Sequence, residues 1–354
     1  MENIIIPQAD VIPVAWGWFQ ALLLLTFPIH LLAMNAMLGG LAIGIVQHLR
    51  GGTVEKKLAH RIAVALPLVI AFVVNFGVAP YLFLQVIYGQ FLYSSSVLMG
   101  TFWILIIPIL IIGYYGAYLY DFKFNSLGIF GPFIAIIVFC LLLVIGFFFS
   151  NNMLLMSLPE RFTDYFSQKN GTMLVYDNVT FWPRYLHMMC GALAVGGLFV
   201  GVLGRFRKAA DIELADHCER LGLNVFLVFT LVNVGLGLWY LFSLPHSQLM
   251  LFMGGNIGAT ALLVVALFTV IGALVMAFKR KFWLSFFLGV TLVVFMTFLR
   301  SWLRTDYLSD YFSLDQLQLV PQYSPFIFFL VTLVAGIICI AWLVKKSADA
   351  FSTP

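Results

Sequence analysis

Residues 127–150 read LGIFGPFIAIIVFCLLLVIGFFFS, without one charged side chain. A helix rises about 1.5 Å per residue, so this stretch reaches across the roughly 30 Å hydrocarbon core of a bilayer. Comparable runs lie near 14–47, 62–88, 97–119, 182–204, 222–242, 257–278, 283–300 and 326–344. Together they predict an all-α fold, a polytopic membrane helix bundle of about nine transmembrane helices. The first two are long enough to tilt or to project from the bilayer. Composition agrees: 62% of the 354 residues are hydrophobic, 10% are charged, and 36 are Phe. A soluble domain carries about 25% charged residues. So few charges cannot cover a water-facing surface, and lipid must cover most of it.

Orientation follows from Lys and Arg placement. One set of connections carries Arg50, Lys56, Lys57, Arg61, Lys123, Arg205, Arg207, Lys208, Arg220, Lys279, Arg280, Lys281, Lys345 and Lys346, 14 of the 19. Arg161, Lys169, Arg184, Arg300 and Arg304 fall on the other side. The basic set should face the cytoplasm of a bacterial inner membrane. That puts the N-terminus in the periplasm and the C-terminus in the cytoplasm, which requires an odd number of spans. Two long outer connections, roughly 151–181 and 300–325, carry aromatic residues such as Trp182, Tyr176, Trp302 and Tyr323 that suit interfacial anchoring. No linker, low-complexity segment or internal repeat stands out, so 1–354 reads as one transmembrane domain. No cleavable signal peptide is expected, because the first apolar run starts near Val14 with no basic residue before it.

Several functions are disfavoured. The net charge of +4 is small and sorted by side, which gives no nucleic-acid surface. The four cysteines, Cys140, Cys190, Cys218 and Cys339, form no CxxC or CxxCH pattern, which excludes covalent c-type haem and a zinc knuckle. All 15 Asp and Glu fall outside the apolar cores. That argues against a carrier with its own carboxylate relay.

The ionisable groups left near the membrane are histidines. His30 lies roughly 30 Å from Arg50 by helical rise, and His187 roughly 27 Å from Arg205, which places both in the outer half at similar depth. Steps of three and four from His187 give Gly191, Ala194, Leu198 and Gly201; from His30 they give Met34, Met37, Leu41 and Gly44. Small residues beside an inward-facing His leave room for a flat cofactor, or they only let helices pack closely. His48, His60 and His217 fall in or beside basic loops and read as solvated. His246 lies in the connection between the sixth and seventh spans, as a ligand, a quinone partner or an ordinary loop residue.

Thr26-Phe-Pro-Ile-His30 in an N-out first helix resembles the first helix of the large subunit of cytochrome bd quinol oxidases. Asn75-Phe-Gly-Val-Ala79 resembles the second helix of that family, and Asn151-Asn-Met sits at its outward turn after the fourth. Arg184-Tyr-Leu-His187, followed by Gly191-Ala-Leu-Ala-Val-Gly-Gly197, resembles the fifth helix, which carries a haem b histidine. The order of these features and the nine-span layout extend the resemblance along the chain. It implies His187 as a ligand of low-spin haem b, with Met253 as its partner and Met250 and His246 as rivals. It implies His30 as a first-helix haem ligand, and Arg300 resembles an Arg of the eighth helix. Arg184 would pair with a haem propionate.

The departures matter as much. Thr297 stands where the family has a haem-ligating Glu, and Met99-Gly-Thr-Phe-Trp-Ile-Leu105 lacks the paired Glu of its third helix. The long quinol loop shrinks to about 243–256. With no membrane carboxylate, oxygen reduction is not expected. The implied function is a membrane electron-transfer subunit of a respiratory quinol/quinone oxidoreductase complex. It would carry one or two haems b and work with other membrane subunits. Electrons would pass between the quinone pool and an outer-face redox partner such as a multihaem cytochrome c. The alternative is a haem-free subunit that binds quinone or anchors a partner.

Overall fold

In lipid, backbone N–H and C=O groups find no water, so a spanning segment must bond within itself as a helix. The computed structural model of the chain describes residues 5–206 and 210–352, the last six by backbone alone. Arg207 and Lys208 of the basic set lie outside these residues. The helices are α1 (Trp16–Arg50), α2 (Thr53–Leu98), α3 (Gly100–Phe122), α4 (Phe130–Leu155), α5 (Phe181–Phe206), α6 (Ile212–Ser243), α7 (His246–Met250), α8 (Ile257–Phe278), α9 (Phe282–Leu308) and α10 (Tyr323–Ser352). Among the described residues, nine of them are long and apolar enough to cross a membrane, all but the five-residue α7. The chain is a multi-pass, all-α membrane protein.

Two boundaries differ from the sequence expectation. The expected spans 62–88 and 97–119 leave Ser94-Ser95-Ser96 between them, yet α2 continues through this run to Leu98 with only a bend at Tyr88. The three hydroxyls bond back to carbonyls three or four residues earlier, at 2.7–3.0 Å, so the polar run is satisfied inside the helix. Asn151 and Asn152 likewise stay in α4 rather than forming a turn. Asn151 Nδ2 donates to the Phe147 carbonyl, and its Oδ1 accepts from the Val175 N–H, tying the following loop to the helix.

One end of the bundle carries the long connections. There the loop after α4 bonds to the α2–α3 junction through Thr101 and Met173, and Ile12 pairs with the loop before α10. The other end carries the basic residues. Lys57 pairs with Asp211 at 3.0 Å, and Arg205 pairs with Glu219 at 2.8 Å.

The chain contains a repeat, contrary to the sequence expectation. α1 packs on α2 as α5 packs on α6, and α3 on α4 as α8 on α9. His30, Gly39, Gly40, Leu41 and Gly44 match His187, Gly196, Gly197, Leu198 and Gly201 at one constant spacing. The two copies meet at their matched glycines: a Cβ on Gly39 would lie 2.7 Å from the Gly196 Cα, so only glycine allows this crossing. The repeat is hard to read in the sequence because the matching residues are few and fall mainly on α1 and α5. Two four-helix units, α1–α4 and α5, α6, α8 and α9, therefore share an orientation in the membrane, with α10 added outside them.

Candidate functional site

His187 projects from α5 toward α6. Its Nδ1 lies 3.2 Å from the backbone carbonyl oxygen of Asn233. In the tautomer that donates to this oxygen, Nε2 keeps a free lone pair. The ring sits over Gly237, where an added Cβ would be 2.9 Å from His187 Cε1. Two positions one turn apart on α6 thus fix the ring, one by a carbonyl and one by a missing side chain. His30 repeats the device in the first unit. Its Nδ1 lies 3.0 Å from the Val73 carbonyl, and a Cβ on Gly77 would be 2.9 Å from its Cε1.

The two histidines differ in what lies beside them. His187 lines a cavity of about 350 Å³ at the centre of the second unit, with walls from α5, α6, α8 and α9 and contributions from α1 and α4. Gly191 and Ala194 form the α5 wall. Met34 and Met37 hold the matching places in the first unit, and Met37 is packed in its core. His30 is not on the cavity wall. On α9 the lining runs Gly289, Val293, Met296, Arg300, Arg304 and Tyr307, with neighbours filling the stripe. Steps of three and four keep this single helix face on the cavity for about 27 Å.

The long-loop end of the cavity is cationic. Arg184, Arg300 and Arg304 all lie on its wall. None of the three has a carboxylate within 4.0 Å among the described residues. Arg300 stacks over Phe27 at 5.0 Å and Arg304 over Tyr88 at 5.5 Å, which offsets part of their desolvation. Arg304 Nη1, Asn233 Oδ1 and Thr230 Oγ1, all on the wall, are buried with no hydrogen-bond partner among the described residues. Cations on an apolar wall without counterions are costly, and an anionic occupant would offset that cost. An apolar slot with a cationic end suits a flat amphiphile that carries carboxylates at one edge.

The residues fit haem b on these grounds. Among the described residues no cluster of three His, Cys, Asp or Glu would hold a bare metal ion. Haem iron is held by its porphyrin and asks the protein only for axial donors. His187 supplies one, with its second ring nitrogen already held by Asn233, the arrangement that orients a ligating histidine.

Of the residues expected from sequence, the structure brings His187, Arg184 and Arg300 together on one cavity. Met253 and His246 are not on its wall. Met253 lies in the π turn Leu251–Gly255, half-exposed and with non-helical backbone angles, and His246 is exposed at the start of α7. Thr297 faces away from the stripe and donates to the Val294 carbonyl at 2.7 Å. Sequence reasoning missed Arg304, Met296, Tyr240, Tyr307, Asn233 and Gly237. The spacing of Arg300 and Arg304 by one turn was a readable signal. Asn233 acts through its backbone and Gly237 through empty space, and neither leaves a trace in residue type.

The histidines expected to be solvated at the basic end are partly buried and partnered. His48 Nδ1 lies 2.9 Å from the Tyr120 hydroxyl, and its ring stacks on Phe124 at 4.5 Å. His60 packs on the same ring at 4.8 Å, and His217 Nε2 lies 3.0 Å from Gln47 Oε1. α1, α2 and α6 extend past the expected span ends, which carries these loops' residues into helix–helix contacts.

Compared with models of known protein families and with curated protein sequences, the chain gives no match.

Proposed function

We propose that the chain is a membrane electron-transfer subunit of a respiratory quinol/quinone oxidoreductase complex in the bacterial inner membrane, holding haem b at His187. The observation that carries this reading is that His187, with its Nδ1 held, shares one apolar cavity with three arginines that have no carboxylate partner among the described residues. Haem b there would carry single electrons between the quinone pool and a redox partner. His187 Nε2 would bind the iron, the Asn233 carbonyl would hold the ring, and Arg184, Arg300 and Arg304 would pair with the propionates. Gly191 and Ala194 leave space for the ring plane. The arginines lie at the long-loop end, so electrons would leave there to a partner such as a multihaem cytochrome c docked on the loops. The resemblance to the cytochrome bd large subunit supports the same placement.

His30 lies in a packed unit, with Met34 and Met37 where the second unit has Gly191 and Ala194. This favours one haem per chain. No oxygen-reductase activity is expected, because Thr297 and the carboxylate-free stretch Met99–Leu105 replace the acidic residues of the bd oxygen site.

The test is a difference spectrum, dithionite-reduced against air-oxidised, of the purified complex. A b-type band that is lost in His187→Ala, with the protein still in the membrane, supports the reading. Unchanged haem content per chain in that variant rejects His187 as the ligand, and a haem-free wild type rejects the reading in favour of a haem-free anchor. Cyanide-sensitive oxygen uptake with quinol would reject the expectation about oxygen.

A further inference from the structure

We infer that Met296 of α9 is the second axial ligand, facing His187 across the cavity. The inference rests on the haem reading above and extends it to a residue that neither the sequence reasoning nor the resemblance assigns.

Depth is fixed by the repeat. Phe27 and Arg184 each lie three residues before the matched histidines His30 and His187, so they sit at one level of the bundle. The Arg300 guanidinium lies 5.0 Å from the Phe27 ring centroid, and it is also near Arg184. Arg300 therefore reaches that same level from α9. The chain runs in opposite directions in α5 and α9, so His187 lies three residues deeper than Arg184 and Met296 four residues deeper than Arg300. The drops are about 4.5 and 6 Å. Counted from the Arg300–Phe27 level the two residues differ in depth by about 1.5 Å, and counted from the Gly289–Leu198 contact by about 6 Å, a range that the length and flexibility of the Met side chain must span.

Direction agrees with depth. Met296 lies on the α9 stripe that lines the cavity, one turn from Val293 and one from Arg300. The helices α5 and α9 touch near the basic end, where Phe199 meets Phe286 at 5.9 Å and Gly289 lies under Leu198. Toward the arginines the cavity lies between them. The other sulfurs on the wall are placed less well. Met188 shares the helix of His187 and is its neighbour, Met34 lies one turn deeper at the level of Gly191, and Met153 lies in the last turn of α4. A ring bound between His187 and Met296 would present its edge one turn below Arg184 and Arg300, where propionates meet guanidinium groups.

The test uses the purified complex and the spin state of its haem. In Met296→Leu, which keeps the volume but removes the donor, the reduced haem should become five-coordinate and bind carbon monoxide. The wild type should bind none. Met296→His should restore the low-spin spectrum, lose the methionine-to-iron charge-transfer band, and lower the reduction potential, as His in place of Met does. Met253→Leu should leave all of these unchanged. A low-spin, carbon-monoxide-inert haem in Met296→Leu overturns the assignment alone. So does a charge-transfer band that persists in Met296→His, or a gain of carbon monoxide binding in Met253→Leu. A wild type without haem overturns the haem reading itself.

Discussion

Gly237 is the residue whose loss should speak most directly about the site. A side chain there would press on the His187 ring from 2.9 Å, and the ring cannot retreat without leaving the Asn233 carbonyl. Gly237→Leu should therefore lower haem content per chain while the helices still insert. Gly77→Leu makes the same clash with His30 in the packed first unit and should leave haem content unchanged. The arginines should give effects of opposite sign in the two states. Arg304→Leu removes a buried, unpaired charge and an orphaned Nη1, a relief of about 1–3 kcal/mol in the empty protein. The apo form should melt higher and the holo form should release haem faster, read by thermal melting and by haem transfer to an apo-globin. Arg184 and His187 were legible as site residues because Arg-x-x-His places them one turn apart. Met296 was not, because one Met among 13 has meaning only once the level of Arg300 is known.

At the scale of helices, the spans were legible from hydropathy and their ends were not. Apolar runs report where lipid is, whereas α2 and α6 continue beyond it on capping and packing. Asp211 shows how: its side chain accepts from the Leu214 N–H at 3.1 Å and begins α6, while Lys57 of α2 pairs with it. The Leu214 N–H, and then Lys57, hold its carboxyl below the usual carboxylate range. A lowered folded pKa stabilises above the unfolded value, near pH 4, and the stabilisation is lost as pH falls through the folded one. The melting temperature of wild type should exceed that of Asp211→Ala at neutral pH, and the gap should close in acid. Asp211→Asn keeps the cap, so its gap to Ala should persist at low pH. The α1–α5 crossing offers a second contrast. Gly39→Ala places a Cβ against the Ala192 carbonyl and the Gly196 Cα and should cost about 1–3 kcal/mol or more. Its neighbour Gly40 faces open space, and Gly40→Ala should be near neutral in the same melt.

The molecule is two four-span units of the same packing order with α10 added, and this bears on its orientation. Both units must enter the membrane from the same side, since each contributes an even number of crossings. The sequence count set 14 basic residues against five, yet three of the five, Arg184, Arg300 and Arg304, line the cavity and are not loop charges. Only Arg161 and Lys169 remain in the long connections, and Arg161 is paired with Asp164 at 2.7 Å and with Asp177 at 3.5 Å. The positive-inside rule counts charges in short loops near the span ends, so the structure sharpens the asymmetry that sequence alone understated. The basic end should face the cytoplasm and the arginine end of the cavity the periplasm. Nine crossings then leave the C-terminal end of α10, with Lys345 and Lys346, in the cytoplasm. A fluorescent protein that matures only in the cytoplasm, fused after Pro354, should glow, and a phosphatase that folds only in the periplasm should be inactive there. The same phosphatase inserted at Gln168, in the loop after α4, should be active. The reverse pattern would turn the molecule over and place the arginine end of the site, and any partner that takes its electrons, on the cytoplasmic side.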